Sequence, residues 1–225
     1  MYFVEKSLAD ESLIQREIES YRHIQAHVRD RVVSEQGLVI FCADGILPPT
    51  NRVTRCFGAV VATLQAGSVL DLGCGTGFLA LIASRFADEV IGVDIDPRAV
   101  ACARRNATMN SVTNVRFLVG DGYGPVAGQR FDLIISNPPF YPSSGITRSP
   151  TPLCVDPQHP LLDALILGIP THLKPDGQAL FVTSSLSDNA HVERMLSQSQ
   201  LDFSCRLLHR GLGVSQDILL WRVVA

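Results

Sequence analysis

Apolar and polar positions follow two rhythms along this chain. From Ser68 onward, short aliphatic runs alternate with stretches of helical spacing. The runs cover 68–72, 89–94, 114–119, 131–136, 178–184, 202–209 and 216–222, and the segments 77–87, 97–109, 160–173 and 188–199 between them predict helices. Such alternation builds βαβ units on a mostly parallel sheet with both faces covered. The last two runs are joined by Gly211-Leu212-Gly213 without a helix. A connection that short cannot make a parallel crossover, so this pair should be antiparallel.

The first fifty residues read differently. Ile14, Ile18, Tyr21, Ile24 and Val28 form one stripe of a 3.6-residue period and predict an amphipathic helix over 7–29, with Ser7 and Asp10 as a capping pair. Gly37-Leu-Val-Ile-Phe-Cys42 predicts a strand, and Ala43-Asp44-Gly45 is a turn signal for a hairpin. Pro48-Pro49 breaks the chain, and 51–65 reads as helical. The expected organisation is an appendage at 1–50 and an α/β domain at 51–225. Segment 141–159, rich in proline and serine, predicts a long loop, which in a compact domain is usually functional or disordered.

Composition narrows the class. A chain of 225 residues suits one α/β domain with an appendage and buries roughly 70% of its unfolded surface. No apolar run approaches the ~18–20 residues of a membrane span, and no leader pattern opens the chain, so a cytoplasmic protein away from membranes is expected. Net charge is −3 and no Lys/Arg run exceeds two residues, a weak electrostatic footprint for naked nucleic acid. Cys42, Cys56, Cys74, Cys102, Cys154 and Cys205 include no C-x-x-C pair, which argues against a zinc site or a disulfide framework. No metal is expected.

The candidate chemistry lies at strand ends. Asp71-Leu-Gly73-Cys74-Gly75-Thr-Gly77 falls where the first core strand turns into a helix. In an open α/β sheet, ligands bind at such carboxyl ends, by the topological switch point. The glycines permit torsions and close approach that side chains would block. Asp94 ends the next strand, where a carboxylate can accept hydrogen bonds from two ribose hydroxyls. Asp71 ahead of the turn suits a ligand with a positive amino-acid end, or else caps local amides. Asp121-Gly122, after the third strand, is an ordinary turn or presents polar groups to an adenine edge.

Asn137-Pro138-Pro139-Phe140 follows the run Phe131–Ser136. The Asn137 side-chain carbonyl and the Pro138 backbone carbonyl offer two acceptors to a planar NH₂, discriminating against hydroxyl or keto groups. The prolines restrict φ and stiffen the segment, and Phe140 offers a face on which a flat substrate can stack. His159, His172 and His209 read as surface or loop histidines.

Stretch 68–140 resembles the class I S-adenosylmethionine-dependent methyltransferases, through Asp71-x-Gly73-x-Gly75-x-Gly77, Asp94, Asp121 and Asn137-Pro138-Pro139-Phe140. Among them, this tetrapeptide marks enzymes acting on planar amino nitrogens, such as protein-glutamine and RNA or DNA amino methyltransferases. The resemblance implies a doubly wound, mostly parallel seven-stranded Rossmann-like sheet with its last strand antiparallel, and S-adenosylmethionine as cofactor. It implies that Asp71 and the glycines hold the methionine moiety, Asp94 the ribose and Asp121 the adenine amino group, with Cys74, Ile95, Gly122 and Asn137 beside them. Pro49 and Thr50, before the helix leading to the glycine turn, match a proline-plus-polar pattern that lines the pocket. The implied activity is N-methylation of a protein amide, a nucleobase or a small molecule. The alternative is a non-catalytic methyltransferase-like subunit. A partner subunit or homodimer stays open.

Overall fold

A computed structural model describes residues 16, 19, 30–140, 160–211 and 216–225. The helix expected over 7–29 lies outside these apart from Arg16 and Glu19, both helical and exposed. The loop expected over 141–159 also lies outside them.

Strands β1 (Arg31–Glu35) and β2 (Leu38–Cys42) form an antiparallel hairpin. Its turn is Gln36-Gly37, with φ of 48° and 76°. Two positive φ values in a two-residue turn match the twist of the flanking strands. The hairpin turn expected at Ala43-Asp44-Gly45 is instead a separate β-turn, closed by the Ile46 amide on the Ala43 carbonyl at 3.0 Å. Helix α1 (Arg52–Val61) follows, its first turn capped by Asn51 Oδ1 accepting from the Thr54 amide at 2.9 Å.

The main sheet alternates as the apolar runs predict. It comprises β3 (Ser68–Leu72), α2 (Phe78–Ala83), β4 (Glu89–Asp94), α3 (Pro97–Met109), β5 (Val115–Val119), β6 (Phe131–Ser136), α4 (Pro160–His172), β7 (Leu173–Ser184), α5 (Asn189–Gln198), β8 (Asp202–His209) and β9 (Ile218–Val224). The strand order is β5-β4-β3-β6-β7-β9-β8, with β3 to β7 parallel and β9 antiparallel to both its neighbours. Strand β3 is fully buried, as a central strand covered on both faces must be. One apolar cluster joins α1, α2 and hairpin residues Leu38, Ile40 and Cys42 to one face, and another packs α4 and α5 on the opposite face.

The hairpin docks on α3 through two asparagines. Asn106 Oδ1 accepts the Phe41 amide at 2.8 Å and its Nδ2 donates to the Phe41 carbonyl at 2.8 Å. Asn110 repeats the pattern with Val39 at 2.9 and 2.8 Å. Arg105 lies 3.6 Å over the Phe41 ring, a cation–π contact.

Candidate active site

The chain runs outward from β3 to β4 and β5, then returns to β6 on the other side of β3. This reversal is the switch point at which open α/β sheets bind ligands. Because β5, β4, β3 and β6 are parallel neighbours, their carboxyl ends bring Asp121, Asp94, the turn 73–77 and Asn137 to one edge.

The glycine turn is fixed from beneath. The amides of Gly73 and Cys74 donate to the Val93 carbonyl at 2.8 and 3.0 Å, and Gly77 donates to Cys74 at 2.8 Å. Buried Asn106 donates to the Thr76 carbonyl at 2.9 Å, tying the turn to the hairpin. Two glycines are required for different reasons. At Gly77, φ is 77° and an added Cβ would lie 2.8 Å from the Phe117 ring and 2.9 Å from Ala103. At Gly75, φ is 52° and the Cβ direction meets nothing within 4 Å. Gly77 serves packing, whereas Gly75 borders open space. Cys74 is buried beneath the turn.

Asp71 is fully buried. Its Oδ2 accepts the Ala80 amide of α2 at 3.0 Å, while Oδ1 has no hydrogen-bond partner among the described residues. Burial pushes its pKa up to about 7; the Ala80 amide opposes this and the Asp94 charge adds to it. The local capping expected of Asp71 therefore uses one oxygen only. Asp94 Oδ2 accepts from Gly75 at 2.8 Å and Oδ1 from the Asp96 amide at 2.9 Å. Burial raises its pKa too, opposed by those amides. A partnerless buried carboxylate oxygen beside a second acid favours a cationic ligand group. Next to Asp94, Ile95 is 66% exposed, an apolar surface at the same edge. Asp121 is exposed, with its carbonyl accepting from Gly124 at 3.0 Å. Gly122 is half-buried with φ of 49°.

Asn137 is half-buried directly after β6. Ser136, fully buried, donates its hydroxyl to the Leu72 carbonyl at 2.7 Å and so pins this strand end to β3. Asn137 Nδ2 donates to Thr54 Oγ1 at 3.0 Å. Pro138 is buried and Pro139 half-buried. Phe140 belongs to the core cluster and is 6% exposed, so its ring backs the segment and does not offer the open stacking face expected of it. Pro49 is buried and Thr50 exposed just ahead of α1. Thr54, one turn later, makes the link to Asn137 that sequence reasoning missed. The Asn-x-x-Thr pattern after Pro48-Pro49 signals the helix cap but carries no sign of this contact.

His172 stacks on Tyr123 with ring centroids 4.1 Å apart, and its Nδ1 lies 2.9 Å from the Gly168 carbonyl. These contacts place it in packing. Among the described residues, no cluster of His, Cys, Asp or Glu could hold a metal.

Residues 31–202 match the methyltransferase small domain family. The chain is 47% identical over 108 residues to the release factor glutamine methyltransferase of Escherichia coli, spanning 46% of this chain and 39% of that protein. It is 42% identical over 100 residues to a tRNA1(Val) (adenine(37)-N6)-methyltransferase of Porphyromonas gingivalis, spanning 39% of each. The chain thus spans well under two thirds of the length of these curated relatives. Among solved structures, the 16S rRNA N2 G1207 methyltransferase of T. thermophilus, in complex with AdoMet and guanosine, superposes with a TM-score of 0.63 at 20% identity, covering 85% of this chain and 49% of that one, a likeness of fold. With a match over 31–202 and the doubly wound sheet to accompany it, the chain belongs to the methyltransferase small domain family.

Proposed function

We propose that the chain transfers a methyl group from S-adenosylmethionine to a planar amino or amide nitrogen. The observation that carries this reading is the meeting, at one sheet edge, of a cation-seeking buried carboxylate and the carboxamide of Asn137. The residues fit the cofactor. Asp71 Oδ1, without a hydrogen-bond partner among the described residues, is the acceptor this reading gives to the ammonium of a methionine moiety, and a Cβ at Gly75 would meet nothing within 4 Å. Asp94 has lone pairs left for ribose hydroxyls after its two amide bonds. Ile95 offers an apolar face to the adenine ring, with Asp121 and Gly122 at its edge. S-adenosylmethionine, when bound, supplies an electrophilic methyl on a sulfonium.

Asn137 then holds the acceptor. An amino group conjugated to a carbonyl or heteroaromatic ring is flat and weakly nucleophilic. The Asn137 Oδ1 and the Pro138 carbonyl accept its two N–H bonds and orient the nitrogen toward the methyl. Positioning of this kind is the chain's main contribution to the rate. The acceptor class comprises a protein glutamine amide, a nucleobase amino group or a small molecule. We keep, as part of this proposal, the division between an appendage at 1–50 and a methyltransferase domain at 51–225; the family match begins at residue 31. Free thiols at Cys42, Cys56, Cys74, Cys102 and Cys205 support a reducing, cytoplasmic setting. No helix among the described residues is long and apolar enough to cross a membrane.

The test is transfer of labelled methyl from S-adenosylmethionine to release factor protein, total tRNA, ribosomal RNA and a small-molecule extract. Label in any one fraction, lost in Asn137→Ala, supports the reading. Donor binding without transfer to any fraction favours the non-catalytic subunit.

A further inference from the structure

Asn106 and Asn110 grip the hairpin in the same way, each accepting from and donating to the backbone of one residue of β2. A carboxamide NH₂ carries two protons, so each side chain has one left after its bond to a β2 carbonyl. Asn110 directs that proton to the Asn106 backbone carbonyl at 2.8 Å, back onto α3. Asn106 directs it to the Thr76 carbonyl at 2.9 Å, inside the glycine turn. The orientation of Asn106 follows from backbone groups of fixed polarity. The Phe41 amide can only donate, and the Phe41 and Thr76 carbonyls can only accept.

The bond to Thr76 acts on one peptide plane. The Thr76 carbonyl and the Gly77 N–H belong to the same planar unit. Asn106 holds the carbonyl, and the N–H donates to the Cys74 carbonyl at 2.8 Å. Turning that unit over would carry Gly77 from its φ of 77° to a negative φ. Glycine adopts both about equally, so the residue itself does not choose between them. Thr76 and Asn106 are buried, at 4% and 0% exposure. The turned plane would strip the Asn106 proton and the Gly77 N–H of these partners away from water, which is costly. The bond from Gly77 to Cys74 also closes the turn around Gly75, whose amide donates to Asp94 Oδ2 at 2.8 Å.

We infer that Asn106 is a positioning residue for the methyl donor. By holding the Thr76–Gly77 peptide in one of two orientations, it keeps Gly75 and Asp94 in place for S-adenosylmethionine and links donor binding to the docking of the hairpin. This rests on the donor site of the methyl-transfer reading and extends it to β2. Coupling of this kind is reciprocal, so bound donor tightens the hairpin at Phe41.

The experiment applies calorimetry with S-adenosylmethionine and amide hydrogen exchange to wild type, Asn106→Leu and Asn110→Leu. Both leucines remove a grip on β2, but only Asn106→Leu removes the bond to the turn, so Asn110→Leu is the control for docking. Asn106→Leu should weaken donor binding about 5–20-fold at unchanged stoichiometry, and Asn110→Leu should stay within about twofold of wild type. Equal weakening in both variants overturns the role. So does an unchanged dissociation constant in Asn106→Leu, whether or not stoichiometry falls, since misfolding alone removes sites without altering those that remain. The Gly77 amide should exchange about fivefold or more faster in Asn106→Leu than in Asn110→Leu. In wild type, donor should slow exchange at Gly77 and Phe41 more than at Val39. Equal slowing at all three overturns the link, and this readout decides the matter if Asn106→Leu does not fold. Wild type that binds no S-adenosylmethionine overturns the methyl-transfer reading and the donor role with it. Gly77 exchange then judges the peptide lock alone, and equal rates in the two variants overturn that too.

Discussion

Asp71 accepts the Ala80 amide on one carboxylate oxygen at 3.0 Å and leaves the other without a partner among the described residues, although the whole side chain is buried. One half of the carboxylate serves the fold by holding the start of α2 against β3. The other half is the one that the proposed function gives to the ligand's ammonium. Asp71→Asn keeps an oxygen for Ala80 and removes the buried charge. The variant should unfold at a higher temperature than wild type without ligand. It should bind S-adenosylmethionine about 10–100-fold more weakly, the loss expected for one charge-assisted hydrogen bond. Thermal melts and calorimetry on both proteins check the opposed signs.

The same burial makes stability depend on pH. With its pKa raised to about 7 in the fold, Asp71 keeps a proton that the unfolded chain releases near about pH 4. Between those values the native state binds more protons than the unfolded state, so this group's contribution to stability falls as pH rises. It levels off above about 7. The difference in melting temperature, wild type minus Asp71→Asn, should therefore decline from about pH 4 to about pH 7 and then stay flat. A ligand ammonium prefers the charged carboxylate, so donor affinity should strengthen over the upper part of that range. Melts and titrations at half-unit pH intervals test both trends.

Two glycines of one turn should respond differently to alanine. Gly77→Ala meets Phe117 and Ala103 at under 3 Å in a left-handed conformation. It should cost about 2–4 kcal/mol or prevent folding. Gly75→Ala carries only the backbone strain, about 1 kcal/mol, because its Cβ points into open space. Its loss should appear chiefly as weaker S-adenosylmethionine binding. Denaturant midpoints and binding constants separate the two.

Asn137→Ala should lower kcat by about 10²–10³, the range for loss of a preorganised polar contact, with donor affinity nearly unchanged. Initial rates and calorimetry on the purified variant decide it.

The central sheet was legible because its strands are written as aliphatic runs bounded by turn chemistry. Strand β3, buried on both sides, and β6 match their runs residue for residue. Strand β7 was harder. Lys174-Pro175-Asp176-Gly177 reads as a loop, and Asp176 does have φ of 64°. Yet Leu173 pairs with Phe131 and a register shift carries the strand past the irregularity. Pairing supplied by a neighbour outweighed the local signal. The last strand lies two residues later than its apolar run suggests, at Ile218–Val224. In the candidate site, Asp71, Asp94 and Asn137 were legible since strand ends announce themselves. Thr54 was not, because its partner is 83 residues away, and no local pattern encodes contact between α1 and the end of β6. The burial of Phe140 was equally hidden, since the aromatic residue of such a motif reads the same whether it faces solvent or core.

The pairing of Asn106 and Asn110 with Phe41 and Val39 has a consequence beyond docking. Four residues of helix advance about 6.0 Å, and two residues of strand about 6.6 Å. The two repeats stay in step over this short reach, so α3 mimics the rung spacing of an adjacent strand and occupies the hydrogen-bonding rim of β2. That rim is shut to strands from other molecules, which would otherwise find a template there. Removing the amides, as in Asn106→Leu with Asn110→Leu, should do more than loosen the hairpin. It should turn a guarded border into a seed for intermolecular stacking, visible as concentration-dependent fibril growth well below the melting temperature.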